Sequence, residues 1–190
     1  MTDDARDHHH DEHVHDEACA MAHGTTPAPT EGRRLVAVFA SPVARELAHT
    51  AGHVGFEVVV LEPDLSRDGA PYPTVRTAAA AHVDGTTDVV VTDHDRAELG
   101  PVLAELLATP ARWVGLMGKA SIVGPHIAAL QALGVDDGTI ARVHRPIGLD
   151  IGSRSPAEIA VSTVAGLLAD RNGRAGGSFE ALSREERAAP

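Results

Sequence analysis

Four short runs rich in Val and Leu set the frame for this chain: residues 35–40 (LVAVFA), 56–61 (FEVVVL), 88–92 (DVVVT) and 112–117 (RWVGLM). The first contains no polar residue, as expected of a strand buried on both faces, and strands of that kind belong to parallel sheets covered by helices. Helical signals stand between the runs. Ser41-Pro42 reads as a cap and first helical position, with the helix continuing to residues 49–52. A loop rich in Pro, Gly and Asp fills residues 62–73, and residues 77–83, with four alanines, read as a short helix. Asp95 can cap a helix carrying Leu99, Val102, Leu103, Leu106 and Leu107 at helical spacing, with Pro101 marking a late start or a kink. Residues 119–133 read as helix broken at Gly124-Pro125, residues 140–144 as a last short strand, and residues 156–171 as a final helix stopped by Asn172-Gly173. The alternation predicts an α/β fold: a Rossmann-like three-layer sandwich around a mostly parallel sheet.

Composition narrows the functions open to such a fold. Apolar residues make up 43% of the 190, enough for a core, and aromatics only 3%, so that core is built from Val, Leu, Ile and Ala. A formal net charge of −11 argues against nucleic acid as a partner and against anionic membrane surfaces. The single cysteine, Cys19, permits no internal disulfide framework, which suits a reducing cytoplasm. No apolar run approaches the ~18 residues of a membrane span, and the acidic, His-rich start is unlike a signal peptide.

Much of the negative charge lies ahead of the first apolar run. Residues 1–30 hold seven acids against one arginine, and six of the twelve histidines. Residues 1–32 are therefore expected to form a disordered acidic tail and linker, residues 33–173 the folded domain, and residues 174–190 a flexible end. The tail offers His8, His9, His10, His13, His15, Cys19 and His23 as ligands for a divalent metal such as Zn, Ni or Cu, without the spacing of a zinc finger. The alternative is a solvated acidic tail.

Residues 146–160 (PIGLDIGSRSPAEIA) carry the clearest site signal. Gly148 and Gly152 punctuate a loop that enters a helix through Ser155, Pro156 and Glu158, a cap, a first-turn proline and a capping-box acid. Backbone amides at such a start favour a bound anion, with Ser153 beside them and Arg154 as a clamp. Asp150 either orients the loop or touches the ligand. Gly115, Gly118 and Lys119 form a second glycine-basic turn, Lys119 acting as a point charge toward phosphate. His94, flanked by Asp93 and Asp95, is a candidate acid, base or ligand. Glu62 ends the second strand, where an acid can accept from a ribose, or is simply an exposed acid. The first turn, Phe39-Ala40-Ser41-Pro42-Val43-Ala44, has no glycine, which argues against ordinary NAD(P) binding.

Residues 146–160, together with Trp113-Val114-Gly115-Leu116-Met117-Gly118 and the strand running from Asp88 to Asp95, resemble in order and spacing the C-terminal Rossmann domain of the xanthine dehydrogenase accessory protein family (XdhC/CoxI-type). The resemblance covers residues 33–171. It implies a non-enzymatic protein that binds the molybdenum cofactor, a phosphate-bearing pterin, and helps insert it into a xanthine dehydrogenase-type or CO dehydrogenase-type molybdenum hydroxylase. It also implies a separately encoded partner of the family's N-terminal type, because full-length members carry a further domain ahead of this one, and it is compatible with a homodimer. The chain departs from the family at the first turn, where members carry Gly-Ala-Gly-His-Val-Gly. A look-alike, Ala51-Gly52-His53-Val54-Gly55, falls instead before the second strand. Two other readings stand beside this one: a small NAD(P)-linked oxidoreductase, and a metal carrier using the tail.

Overall fold

The computed structural model describes residues 17–22, 32–119 and 124–176. The chain divides into two units, residues 1–30 and 31–190. The first holds a short helix, α1 (Glu17–Ala22). EACAMA holds three alanines and no Gly or Pro, a composition that favours helix locally. The proposed metal ligands His8, His9, His10, His13, His15 and His23 lie outside the described residues, as does the side chain of Cys19.

The second unit contains β1 (Arg34–Val38), α2 (Pro42–His53), β2 (Glu57–Leu61), β3 (Thr74–Val75), a 3-10 turn (Ala79–Ala81), β4 (Thr87–Val91), α3 (Leu99–Leu107), β5 (Trp113–Leu116), α4 (Pro125–Ala132), α5 (Asp137–Ile140), β6 (Val143–His144) and α6 (Pro156–Arg171). The strands form one sheet in the order β3-β2-β1-β4-β5-β6, every pair parallel. This order is that of the doubly wound dinucleotide-binding fold, and its direction reverses between β1 and β4. Register is continuous across the centre: Val36 lies opposite both Val59 and Val89.

Alternation along β1 divides the core in two. Val36 and Val38 pack with Leu99, Leu103 and Leu106 of α3 and Leu130 of α4. Leu35 and Ala37 face the other way, among Leu47 and Ala48 of α2 and Val164 and Leu167 of α6. Helix α2 buries Ala44, Leu47, Ala48 and Ala51, a stripe at i, i+3, i+4, i+7. It begins at Ser41, whose Oγ accepts the Ala44 N–H at 3.0 Å, with Pro42 in the first turn. Below the sheet, fully buried Asp88 accepts from Arg112 Nε at 2.6 Å and from Arg171 Nε at 2.8 Å, which ties the last turn of α6 to β4.

Several local expectations are corrected. Helix α3 starts at Leu99, and Asp95 does not cap it: Glu98 occupies the cap position without a capping hydrogen bond from its side chain, and the Asp95 N–H instead donates to Asp93 Oδ1 at 3.1 Å. Pro101 lies in the first turn, where a missing N–H costs no helical bond. The expected helix at 77–83 contracts to the 3-10 turn, which ends on His82 at φ +48°. The last strand keeps only Val143–His144, because Asp136 accepts from the Thr139 N–H and starts α5 just before it.

Candidate functional site

Ligands of such sheets lie beyond the carboxyl ends of the strands, near the point of reversal. The β1–α2 turn there is filled by the chain itself. Phe39 is fully buried at φ +70°, a conformation ordinarily left to glycine, with the Arg96 guanidinium 4.8 Å above its ring. Ala40 donates its N–H to Glu62 Oε2 at 2.8 Å, and its carbonyl accepts from Arg67 Nη2 at 2.8 Å. Thr92 bridges the turn to β4, its hydroxyl 2.9 Å from Ser41 Oγ and donating to the carbonyls of Val38 and Phe39.

Glu62 is the keystone of this arrangement and is no exposed strand-end acid: it is 0% accessible. Arg96 binds it two-pronged, both contacts at 3.0 Å, and the Asp64 N–H donates to Oε1 at 3.0 Å. Burial pushes its carboxyl up, but the Arg96 hydrogen bonds and the amides of Ala40 and Asp64 outweigh that and hold it below the ordinary glutamate range. Both oxygens are thus committed within the protein, which corrects the expected ribose contact. Arg96 also pairs with Glu98 at 3.0 Å.

On the other side of the reversal the edge opens. A cleft of about 550 Å³ is lined by Thr92 and His94 after β4, Met117, Gly118 and Lys119 after β5, Ile147, Ser153 and Arg154 from the loop before α6, and Val43, Ile159, Ser162 and Thr163 from α2 and α6. Three of the candidate segments, namely the His94 tip, the Gly118-Lys119 turn and the Ser153-Arg154 loop, meet here. Two exposed cations, Lys119 and Arg154, stand over a wall of Val43, Met117, Ile147 and Ile159. The nearest acid to His94 is Asp95, whose Oδ1 lies 3.6 Å from Nε2.

The other expected site residues have different tasks. Gly115 is buried within β5, where an added Cβ would lie 2.1 Å from the Trp113 ring. Gly148, at φ +84°, lets the loop lie against α6: an added Cβ would fall 2.5 Å from Ser162 Oγ. The Leu149 N–H donates to the Ser162 carbonyl at 3.1 Å, and the Ser162 hydroxyl returns a bond to the Leu149 carbonyl. Gly152, at φ +68°, and Asp150 are exposed and line no part of the cleft. The start of α6 is closed rather than open. Glu158 Oε2 accepts the N–H groups of Arg154 at 2.8 Å and Ser155 at 2.9 Å, and Ser155 Oγ accepts that of Glu158. These amides hold the capping box, which corrects the expectation that they stand open toward an anion. Buried Ser162 and Thr163 were missed from sequence, although two adjacent hydroxyls inside the apolar run of α6 are the signal that marks them. Arg145 was missed too: its guanidinium lies where a Cβ of Gly118 would be, 2.4 Å from that point, and so requires glycine behind the cleft.

Residues 35–167 match the model of the XdhC Rossmann domain. The chain belongs to the XdhC family of xanthine dehydrogenase accessory proteins. A relative, the uncharacterized protein YqeB of Escherichia coli (strain K12), is 30% identical over 168 residues, 82% of this chain and 29% of its own length. The fold resembles that of a crystal structure described as a xanthine dehydrogenase from Bacillus halodurans, with TM-score 0.59 and 23% identity over 77% of this chain and 45% of the other. The XdhC domain described here thus spans less than half of either protein. Among the described residues no helix is long and apolar enough to cross a membrane.

Proposed function

We propose that this XdhC-type domain binds the molybdenum cofactor and assists its insertion into a xanthine dehydrogenase-type or CO dehydrogenase-type molybdenum hydroxylase, doing no chemistry of its own. The observation that carries this reading is the convergence of Lys119 and Arg154, 35 positions apart in sequence, on one cleft at the carboxyl edge of the sheet. The donor set fits a phosphate-bearing pterin: two cations and the hydroxyls of Ser153 and Thr163 for the phosphate, with the apolar wall for the ring. The filled β1–α2 turn speaks against an NAD(P)-linked oxidoreductase. The family relation favours a molybdenum hydroxylase as the client.

Ultrafiltration of the purified chain with molybdopterin tests the reading. Retention is expected, and Arg154→Ala and Lys119→Ala should each weaken it about tenfold, the value of one charge-assisted contact. Loss of retention in neither variant removes the cleft as the site. A saturable titration with a nicotinamide dinucleotide, in place of pterin, turns the reading toward the oxidoreductase.

A further inference from the structure

Residues Phe39 to Ala44 stand where a dinucleotide fold carries its G-x-G-x-x-G turn, with Phe39, Ser41 and Ala44 in place of the glycines. A pyrophosphate at such a turn is held by backbone N–H groups at the opening of the helix. Here Ala40 gives its N–H to Glu62, Ser41 gives its own to the Phe39 carbonyl, Pro42 has none, and Ala44 donates to Ser41 Oγ. Three of these groups are therefore already engaged, and the one engaging Ala40 is itself an anion. Glu62 reaches back from the end of β2, the strand over which the nucleotide half of a dinucleotide would lie, and is locked there by Arg96 and by Arg67 at 3.5 Å.

On the reading of the cleft as a cofactor site, we propose that Glu62 is a specificity-determining residue. Its carboxylate holds the place of a pyrophosphate at the first turn, so the edge accepts a ligand ending in one phosphate over β4–β6 and rejects the same ligand extended by a nucleotide over β1–β2. Two physical terms act together. A phosphate brought to the turn finds the Ala40 amide already held by the Glu62 carboxylate, so like charge opposes it at that contact even though Arg96 and Arg67 pair with the carboxylate. Moving Glu62 aside instead breaks its bonds from Arg96, Ala40 and Asp64 and leaves the part-buried Arg96 guanidinium with Glu98 as its remaining carboxylate. The discrimination thus comes from a built-in repulsive element, not from an extra contact to the preferred ligand.

Equilibrium ultrafiltration of the full chain against three probes tests this: molybdopterin, the same pterin extended by cytidine monophosphate, and ADP-ribose. The expected result is retention of the monophosphate form, with both nucleotide-bearing probes held at least about 100-fold more weakly. Glu62→Gln keeps the shape and removes the charge, and should narrow that ratio to about tenfold. Equal retention of the two pterins by the wild-type chain overturns the inference and leaves the cofactor reading standing. Retention of neither pterin overturns the cofactor reading, and this inference with it. An unchanged ratio in a Glu62→Gln protein that melts cooperatively removes Glu62 as the determinant. The wild-type comparison needs no variant and decides the matter if Glu62→Gln does not fold.

Discussion

The two halves of the sheet's carboxyl edge handle negative charge in opposite ways. Over β1 and β2 an anion is already present: the Glu62 carboxylate, 0% accessible and met by Arg96 and two backbone amides. Over β4 to β6 the cations stand exposed, and Lys119 and Arg154 face a cleft with no carboxylate among its lining residues. The same strand order serves both halves, so the sheet alone does not decide where a ligand goes. The turn differs: a few side chains commit one half to the protein's own structure and leave the other as an open cleft.

The largest expected effect comes from emptying the filled half. Glu62→Ala leaves the Ala40 N–H without its acceptor and Arg96 with Glu98 as its remaining carboxylate, and breaking one side of a buried pair costs about 3–5 kcal/mol. Urea unfolding should show that loss, and a midpoint within error of wild type would mean that the turn is held by other contacts. The same comparison has a pH signature. The Glu62 carboxyl is held below its ordinary value of 4.5 in the fold. A carboxyl depressed on folding contributes its stability above the unfolded value and loses it as pH falls through the folded one. Wild-type stability should therefore decline from about pH 4.5 downward, and the Glu62→Gln curve should be flatter over that window.

A smaller effect separates two glycines of the open half. Both have positive φ, but an alanine Cβ at Gly148 would lie 2.5 Å from Ser162 Oγ, while at Gly152 nothing lies within 4 Å. Gly148→Ala should cost about 2 kcal/mol, since strain and a clash combine. Gly152→Ala should cost about 1 kcal/mol, from backbone conformation alone. Thermal melts of the two variants rank them, and the reverse order would show that the loop does not rest on α6 through Gly148.

The fold was largely legible in the sequence because the dominant signals were strong and local. An apolar run such as LVAVFA allows little except a buried strand, and Ser155-Pro156-Ala157-Glu158 carries its cap in four residues. The two-residue β3 was not legible: it exists only because Thr74 and Val75 pair with Val60 and Leu61, a contact set by the sheet. The site was legible in part for the same reason. Gly118, Lys119, Ser153, Arg154 and His94 announce themselves as loop residues at strand ends, and the topology brings them together. Glu62 was placed correctly at the end of β2 but given the wrong role, because its partners Arg96 and Arg67 lie 34 and 5 positions away and nothing local joins them to it. The amides of α6 misled for the opposite reason. A sequence that signals a good cap also signals that the cap will consume the very donors an anion would need.

That last point gives the smallest and sharpest test. In the capping box, Ser155 Oγ accepts from the Glu158 N–H, while Glu158, its carboxyl held below the ordinary range by the amides of Ser155 and Arg154, closes the other side. Ser155→Ala removes one acceptor at an exposed helix start and should cost about 1 kcal/mol. It also frees one amide at the mouth of the open half. If the anion is gripped by side chains, molybdopterin retention should follow Arg154→Ala and respond little to Ser155→Ala, even though the second variant is the less stable protein. If the backbone at the start of α6 were the true cradle, freeing an amide there would tighten retention, and the order of the two variants would separate the two grips in one titration series.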